Sequence, residues 1–177
     1  LSVPAHFCSW PERGRLRFSP DSFDFFAEDG AAGVDASHRI KGIVLHDILS
    51  HVTVREDLES AVEGPVISGQ LSEEQAADAL DLLRSRMDAV ADRGWFLPDP
   101  VRVLNETSVI DSDGQVYRPD RVVIKGDKVM IIDYKFGEHR RVYERKLLKY
   151  ADIWRRMGYE DVSGFLWYVD ALTVVEV

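Results

Sequence analysis

The eight residues 128–135, KVMIIDYK, constrain this chain more than any other stretch. Val129, Met130, Ile131 and Ile132 follow one another with no polar face to show to water. Such a segment is not a half-exposed strand; it belongs inside a sheet covered on both sides. Gly126-Asp127 before it is a turn, so the strand ahead should be its hairpin partner. Upstream, Val101, Val103, Asn105, Thr107 and Val109 alternate with Arg102, Leu104, Glu106 and Ser108, which predicts a first strand over 101–109. Asp113-Gly114 is a tight hairpin signal, and its partner strand should run from Val116 to Ile124. A helix is expected at about 140–157, closed by Gly158, and two short apolar runs, 162–169 and 172–177, should finish the sheet.

Helices should come first. Ser37 is a plausible cap for a helix with Ile40, Ile43, Val44, Ile48 and Leu49 on one stripe. Gly64-Pro65 and Gly69 are expected to break the chain. Ser72 then caps a second helix with Gln75 in the capping-box position, a stripe of Ala76, Leu80, Leu83, Met87 and Val90, and Gly94 as its end. The resulting order predicts an α/β domain over 38–177, its sheet covered by helices. Residues 1–37, with Pro4, Pro11, Pro20 and three glycines, read as an arm or linker. The chain starts at Leu1 rather than Met, as a piece of a longer protein would.

Charge and cysteine usage remove several function classes. The net charge of -9 excludes a simple polycationic nucleic-acid binder. The acids are concentrated in residues 20–99, however. Between Arg140 and Arg156 the balance reverses, with Arg140, Arg141, Arg145, Lys146, Lys149, Arg155 and Arg156 against only Glu144 and Asp152. That helix is a candidate surface for a polyanion. A single cysteine, Cys8, excludes a disulfide framework, a cysteine-built zinc finger and a four-cysteine iron–sulfur cluster. No apolar run is long enough to span a membrane and no secretory pattern opens the chain, so a cytoplasmic location without membrane partners is expected.

Asp133 is out of place at the end of a buried strand. Alternation puts it on one face with Ile131 and Lys135, a carboxylate and an ammonium about 7 Å apart along the backbone. If the next strand back pairs with it around Gly126-Asp127, Asp120 becomes its near cross-strand neighbour. Two carboxylates placed so are destabilising unless a cation offsets them, and oxygen donors favour Mg²⁺ or Mn²⁺. Lys135 beside such an ion is suited to hold an attacking water or to stabilise charge on a phosphate.

Arg118-Pro119-Asp120 followed by Asp133-Tyr134-Lys135 resembles the signature of the PD-(D/E)xK nucleases. The surrounding motifs are similar to the RecB/AddA-type nuclease domains at the C-terminus of UvrD-like helicases. Gly42-Ile43-Val44-Leu45-His46 resembles their G-x-x-x-H helix, Glu106 their strand glutamate, Asp133-Tyr134-Lys135-Phe136-Gly137 their strand end, and Lys146-Leu147-Leu148-Lys149-Tyr150 their Q-x-x-x-Y, with Lys146 in place of the usual Gln. The likeness spans residues 38–177 with the motifs in order.

The resemblance implies a restriction-endonuclease-like mixed sheet flanked by helices. It also implies metal ligation (Mg²⁺ or Mn²⁺, with no iron–sulfur cluster) by His46, Asp120, Asp133 and the Tyr134 carbonyl. Asp120, Asp133 and Lys135 would be catalytic, Lys135 orienting the water, with Glu106 beside them as a secondary metal residue. Lys146 and Tyr150 would contact DNA, and the basic helix adds Lys149, Arg145 and Arg141. Gly42, one turn before His46, would let that helix close on the sheet. The implied activity is a deoxyribonuclease, an exonuclease on single strands or duplex ends, working with a helicase motor in double-strand-break repair and recombination. No G-x-x-x-x-G-K-[ST] is present in the chain, so the motor would lie elsewhere. A catalytically inactive DNA-binding or protein-interaction domain of a helicase, or a stand-alone nuclease of another PD-(D/E)xK branch, are the alternatives. His6, His38, His51 and His139 read as ordinary histidines, and Trp154, Trp167 and Tyr168 as core.

Overall fold

A computed structural model describes residues 36–98, 102–137 and 139–177, with side chains from Lys41 onward. The expected arm therefore lies outside the described residues apart from its last two positions. Helix α1 spans Ala36–Ser50, a short 3-10 turn Arg55–Asp57, helix α2 Leu58–Ile67 and helix α3 Glu73–Asp88. Strands β1 (Arg102–Asn105), β2 (Val109–Ile110), β3 (Val116–Tyr117), β4 (Arg121–Lys125) and β5 (Lys128–Lys135) follow. Helix α4 (Arg141–Arg156) then crosses to β6 (Asp161–Tyr168) and β7 (Thr173–Glu176).

Five strands form one sheet in the order β1-β4-β5-β6-β7, and β2 and β3 form a separate ribbon. Only β5 and β6 run parallel, joined by α4; the other pairs are antiparallel. The chain is thus mixed α/β with a mixed sheet flanked by helices. β5 takes the predicted central place, buried from Val129 through Tyr134. Its Met130, Ile132 and Tyr134, with Val123, Phe165 and Trp167, pack on Val44, Leu45 and Ile48 of α1 and Leu83 and Met87 of α3. Val129, Ile131 and Asp133 take the opposite face by alternation. There α4 comes so close to β6 that a Cβ on Gly164 would lie 2.8 Å from Leu147 Cγ.

Four expectations about element ends need correction. Helix α1 already includes Ala36, so Ser37 lies inside the helix and not at its cap. The chain does not break at Gly64-Pro65, because α2 runs through both to Ile67. A proline lacks its N–H bond and crowds the carbonyl one turn back, but here it sits in the last turn, where its buried ring packs against the domain. The break comes at Gly69, whose φ of +73° stops the turn after Ser68 N–H has bonded Gly64 O. Gly94 likewise ends the 3-10 turn Ala91–Arg93 rather than α3 itself, which finishes at Asp88; Ser72 and Gln75 do form the expected capping box. The two long strands expected over 101–109 and 116–124 are each cut in two. Glu106 adopts a left-handed φ of +45°, and Pro119 has no N–H with which to continue the ladder. The hairpin at Asp113-Gly114 forms, but β2 and β3 leave the main sheet and only β1 and β4 rejoin it.

Candidate active site

The cut in the strands brings the expected residues together. β4 and β5 pair as Arg121↔Ile132 through Lys125↔Lys128, the register that makes Asp120 and Asp133 the next opposed positions. Both belong to the α4 face, since Arg121 and Val123 turn to the other helices. Asp120 Oδ2 accepts the Tyr134 N–H at 2.7 Å, across the strands. The corner before Asp120 is tied back to Glu106: Glu106 N–H donates to Asp120 O at 2.9 Å, and Arg118 Nε donates to Glu106 O at 2.7 Å. These bonds hold Glu106 in its left-handed conformation, and Arg118 also pairs with the Glu106 carboxylate.

His46 arrives from α1. The close approach expected at Gly42 is present, since a Cβ there would meet Phe136 Cβ at 3.2 Å. One turn on, His46 Nε2 lies 3.3 Å from Asp120 Oδ1 and Nδ1 3.5 Å from Glu106 Oε1, with its ring edge-on to Tyr134. Burial disfavours the charged imidazole, but Asp120, with Glu106 adding, outweighs it and raises the pKa above the ordinary 6.5. Burial likewise favours protonated Asp120, yet His46, then Lys135 and Lys146, hold it well below the usual carboxylate range.

Asp133 is 2% exposed. Lys135 pairs with its Oδ2, and Lys146 Nζ stands 3.9 Å from its Oδ1. Neither oxygen accepts a well-aligned hydrogen bond. The Lys135 ammonium also donates to Tyr134 O at 3.2 Å and lies 4.8 Å from the Tyr143 ring centre. Lys146 sits 5.5 Å from the Tyr150 ring centre. Arg141, Arg145 and Lys149 are exposed at four-residue strides along α4. Tyr150 is buried instead, and its hydroxyl donates to Arg118 O at 3.3 Å. Of the expected DNA contacts it alone is withheld from the surface, where it props the corner that carries Asp120.

Among the described residues no group of three His, Cys, Asp or Glu side chains is preassembled as a metal cage. The carboxylates hold the protein's own cations instead. The donor set nevertheless suits a hard divalent ion. Asp133 offers two buried oxygens without hydrogen bonds, and a cation, the Lys135 ammonium, already rests on Asp133 and the Tyr134 carbonyl together. For His46 to ligate, it must leave its carboxylate pairs as a neutral ring.

Two groups escaped the sequence reading. Arg121 is fully buried, and its five hydrogen bonds reach Val52 O, Thr53 O, Trp95 O and Asn105 Oδ1, with the guanidinium 4.3 Å from the Phe96 ring centre. Asn105 Nδ2 donates to the same Val52 O at 2.9 Å. This clamp ties together the segments that deliver His46, Glu106 and Asp120. The signal available was parity, because an arginine two residues before Val123 had to share its inward face. The second is His139, assigned no role above, which bridges Tyr168 OH at 2.7 Å and Glu144 Oε1 at 3.1 Å. Burial pushes the Tyr168 phenol up to about 12, helped by Tyr143, Asp133 and Glu144. No helix among the described residues is long and apolar enough to cross a membrane. No protein-family model matches the chain, and no curated protein matches it.

Proposed function

We propose that this chain is a metal-dependent deoxyribonuclease domain of the PD-(D/E)xK type, with the restriction-endonuclease-like arrangement and motifs similar to those of the RecB/AddA-type domains. The observation that carries this reading is the opposed pair Asp120 and Asp133 at neighbouring strand ends on one face, with Lys135 beside them. Asp120, Asp133, His46 and the Tyr134 carbonyl would hold Mg²⁺ or Mn²⁺. When bound, the ion polarises the scissile phosphate and makes a bound water acidic. Lys135 orients that water for in-line attack, and Arg118 pairs with Glu106 and holds it in place beside His46. Arg141, Arg145 and Lys149 grip the DNA backbone without reading bases. The acidic helical side repels DNA and confines it to the α4 side. Exonuclease action at DNA ends, beside a helicase motor in break repair and recombination, follows from the family likeness alone.

A second reading has one observation in its favour: the carboxylates are already paired with histidine and lysine, as in a binding domain without chemistry. A nicking and degradation assay separates the two. Wild type with Mg²⁺ should cleave DNA and Asp133→Ala should not. Equal inactivity of both, with DNA binding retained, would establish the binding domain.

A further inference from the structure

The fixed charges of the cluster limit how many metal ions it accepts. Three carboxylates, Glu106, Asp120 and Asp133, face three permanent cations: Arg118 on Glu106, and Lys135 and Lys146 on the two oxygens of Asp133. With His46 neutral, these charges cancel. One divalent ion and one phosphodiester then leave a single positive charge in a largely buried pocket. A second ion would leave three, a strongly unfavourable excess at low dielectric. Lys146 tips this balance, because a neutral residue in its place would lower each total by one.

Its placement suggests a use. Lys135 and Lys146 stand at the two different oxygens of Asp133, so two separate cations border this carboxylate, and an in-line displacement can use one by the incoming water and the other by the departing oxygen. The Lys146 side chain is 26% exposed, open enough to meet a substrate yet close enough that its charge helps keep Asp120 ionised.

We infer that Lys146 is a catalytic residue that does the work of a second divalent ion, at a site that binds one. This rests on the nuclease proposal above. In the step concerned, the water oxygen bonds to phosphorus and its proton passes to solvent. The bond from phosphorus to the leaving oxygen breaks with its electron pair on that oxygen, and the Lys146 ammonium holds the charge there, as a metal ion would, until the oxygen takes a proton from solvent. Its expected role as a backbone contact is thereby narrowed to the scissile phosphate.

The test is Mn²⁺ titration followed by calorimetry and by electron paramagnetic resonance, on wild type, Lys146→Arg, Lys146→Gln and Lys146→Met, each first shown to be folded by circular dichroism. Wild type and Lys146→Arg should bind one Mn²⁺. Lys146→Gln should bind its first Mn²⁺ about tenfold more tightly, having lost a neighbouring positive charge. At saturating metal Lys146→Gln should cleave DNA roughly 10²-fold more slowly, while Lys146→Arg keeps most of the rate. The Lys146→Met variant, matched in length, should behave as Lys146→Gln and serves if that variant is unfolded. Two Mn²⁺ ions in wild type, or unchanged affinity and rate in the neutral variants, would overturn the role of Lys146 while leaving the nuclease proposal intact. Absence of any Mn²⁺ binding by wild type would overturn both.

Discussion

Replacing Arg121 by Met keeps the length of the side chain and removes the clamp. Of the four acceptors it serves, Val52 O retains Asn105 Nδ2, and Thr53 is exposed enough to turn to water. Trp95 O, which receives two of the five bonds, and Asn105 Oδ1 are left without their donor. A buried acceptor stripped of its partner costs about 1–3 kcal/mol, so these two together cost about 3 kcal/mol. Loss of the contact with Phe96 adds about 1 kcal/mol. Against this, Met carries no charge to desolvate; burial already pulls the pKa of Arg121 downward, although an arginine stays charged. The net expectation is a loss of about 3 kcal/mol, or a fall in Tm of roughly 6–12 °C for a domain of this size. Urea unfolding of metal-free wild type and Arg121→Met measures it directly. Arg121→Lys should recover little, since one ammonium cannot span the same acceptors. A loss below about 1 kcal/mol with an unchanged m-value would refute the clamp, because the acceptors would then have found water or other donors at no cost.

Other expectations follow from the same contacts. His46 has a raised folded pKa, so its pairing stabilises the metal-free protein fully below the ordinary value of 6.5 and is lost as pH climbs through the raised one. Asp120 has a lowered folded pKa, so its share is present above the ordinary 3.8 and is lost as pH falls toward the folded value. Urea unfolding across pH 5 to 9 should therefore show stability declining on the alkaline side in wild type and a flatter profile in His46→Gln. Gly164→Ala should cost about 1–3 kcal/mol by forcing Leu147 away from β6, seen as a lower melting temperature; an unchanged melt would mean that α4 yields freely. If α4 grips DNA, Arg145→Ala should reduce the slope of log K against log salt by about 0.7–0.9, and an unchanged slope would place the DNA elsewhere.

What the sequence disclosed and what it hid divide along the range of the interactions. KVMIIDYK was legible because a long apolar run has one physical solution, and the paired capping of Ser72 and Gln75 is settled within four residues. The meeting of Asp120 with Asp133 was legible too, since a turn at Gly126-Asp127 fixes the register of both strands. The interruption at Glu106 was hidden, because its left-handed backbone is imposed by Arg118 and Asp120 from beyond a hairpin. The place of Arg121 depends on the carbonyls of Val52, Thr53 and Trp95, which no local pattern brings near. Tyr150 was expected at DNA from the family likeness of its motif, yet it lies on the stripe that faces the sheet with Tyr143, Leu147 and Trp154. Stripe position decides burial there, and the charge of neighbouring residues does not.

The central claim is that Asp120 and Asp133 share one divalent ion. Anomalous diffraction from crystals grown with Mn²⁺ tests it most directly. The account predicts a peak about 2.1–2.3 Å from an oxygen of each carboxylate, with His46 turned toward it and Lys135 displaced from Asp133. A structure at saturating Mn²⁺ in which no ion lies between them, and Lys135 still holds Asp133, would contradict it.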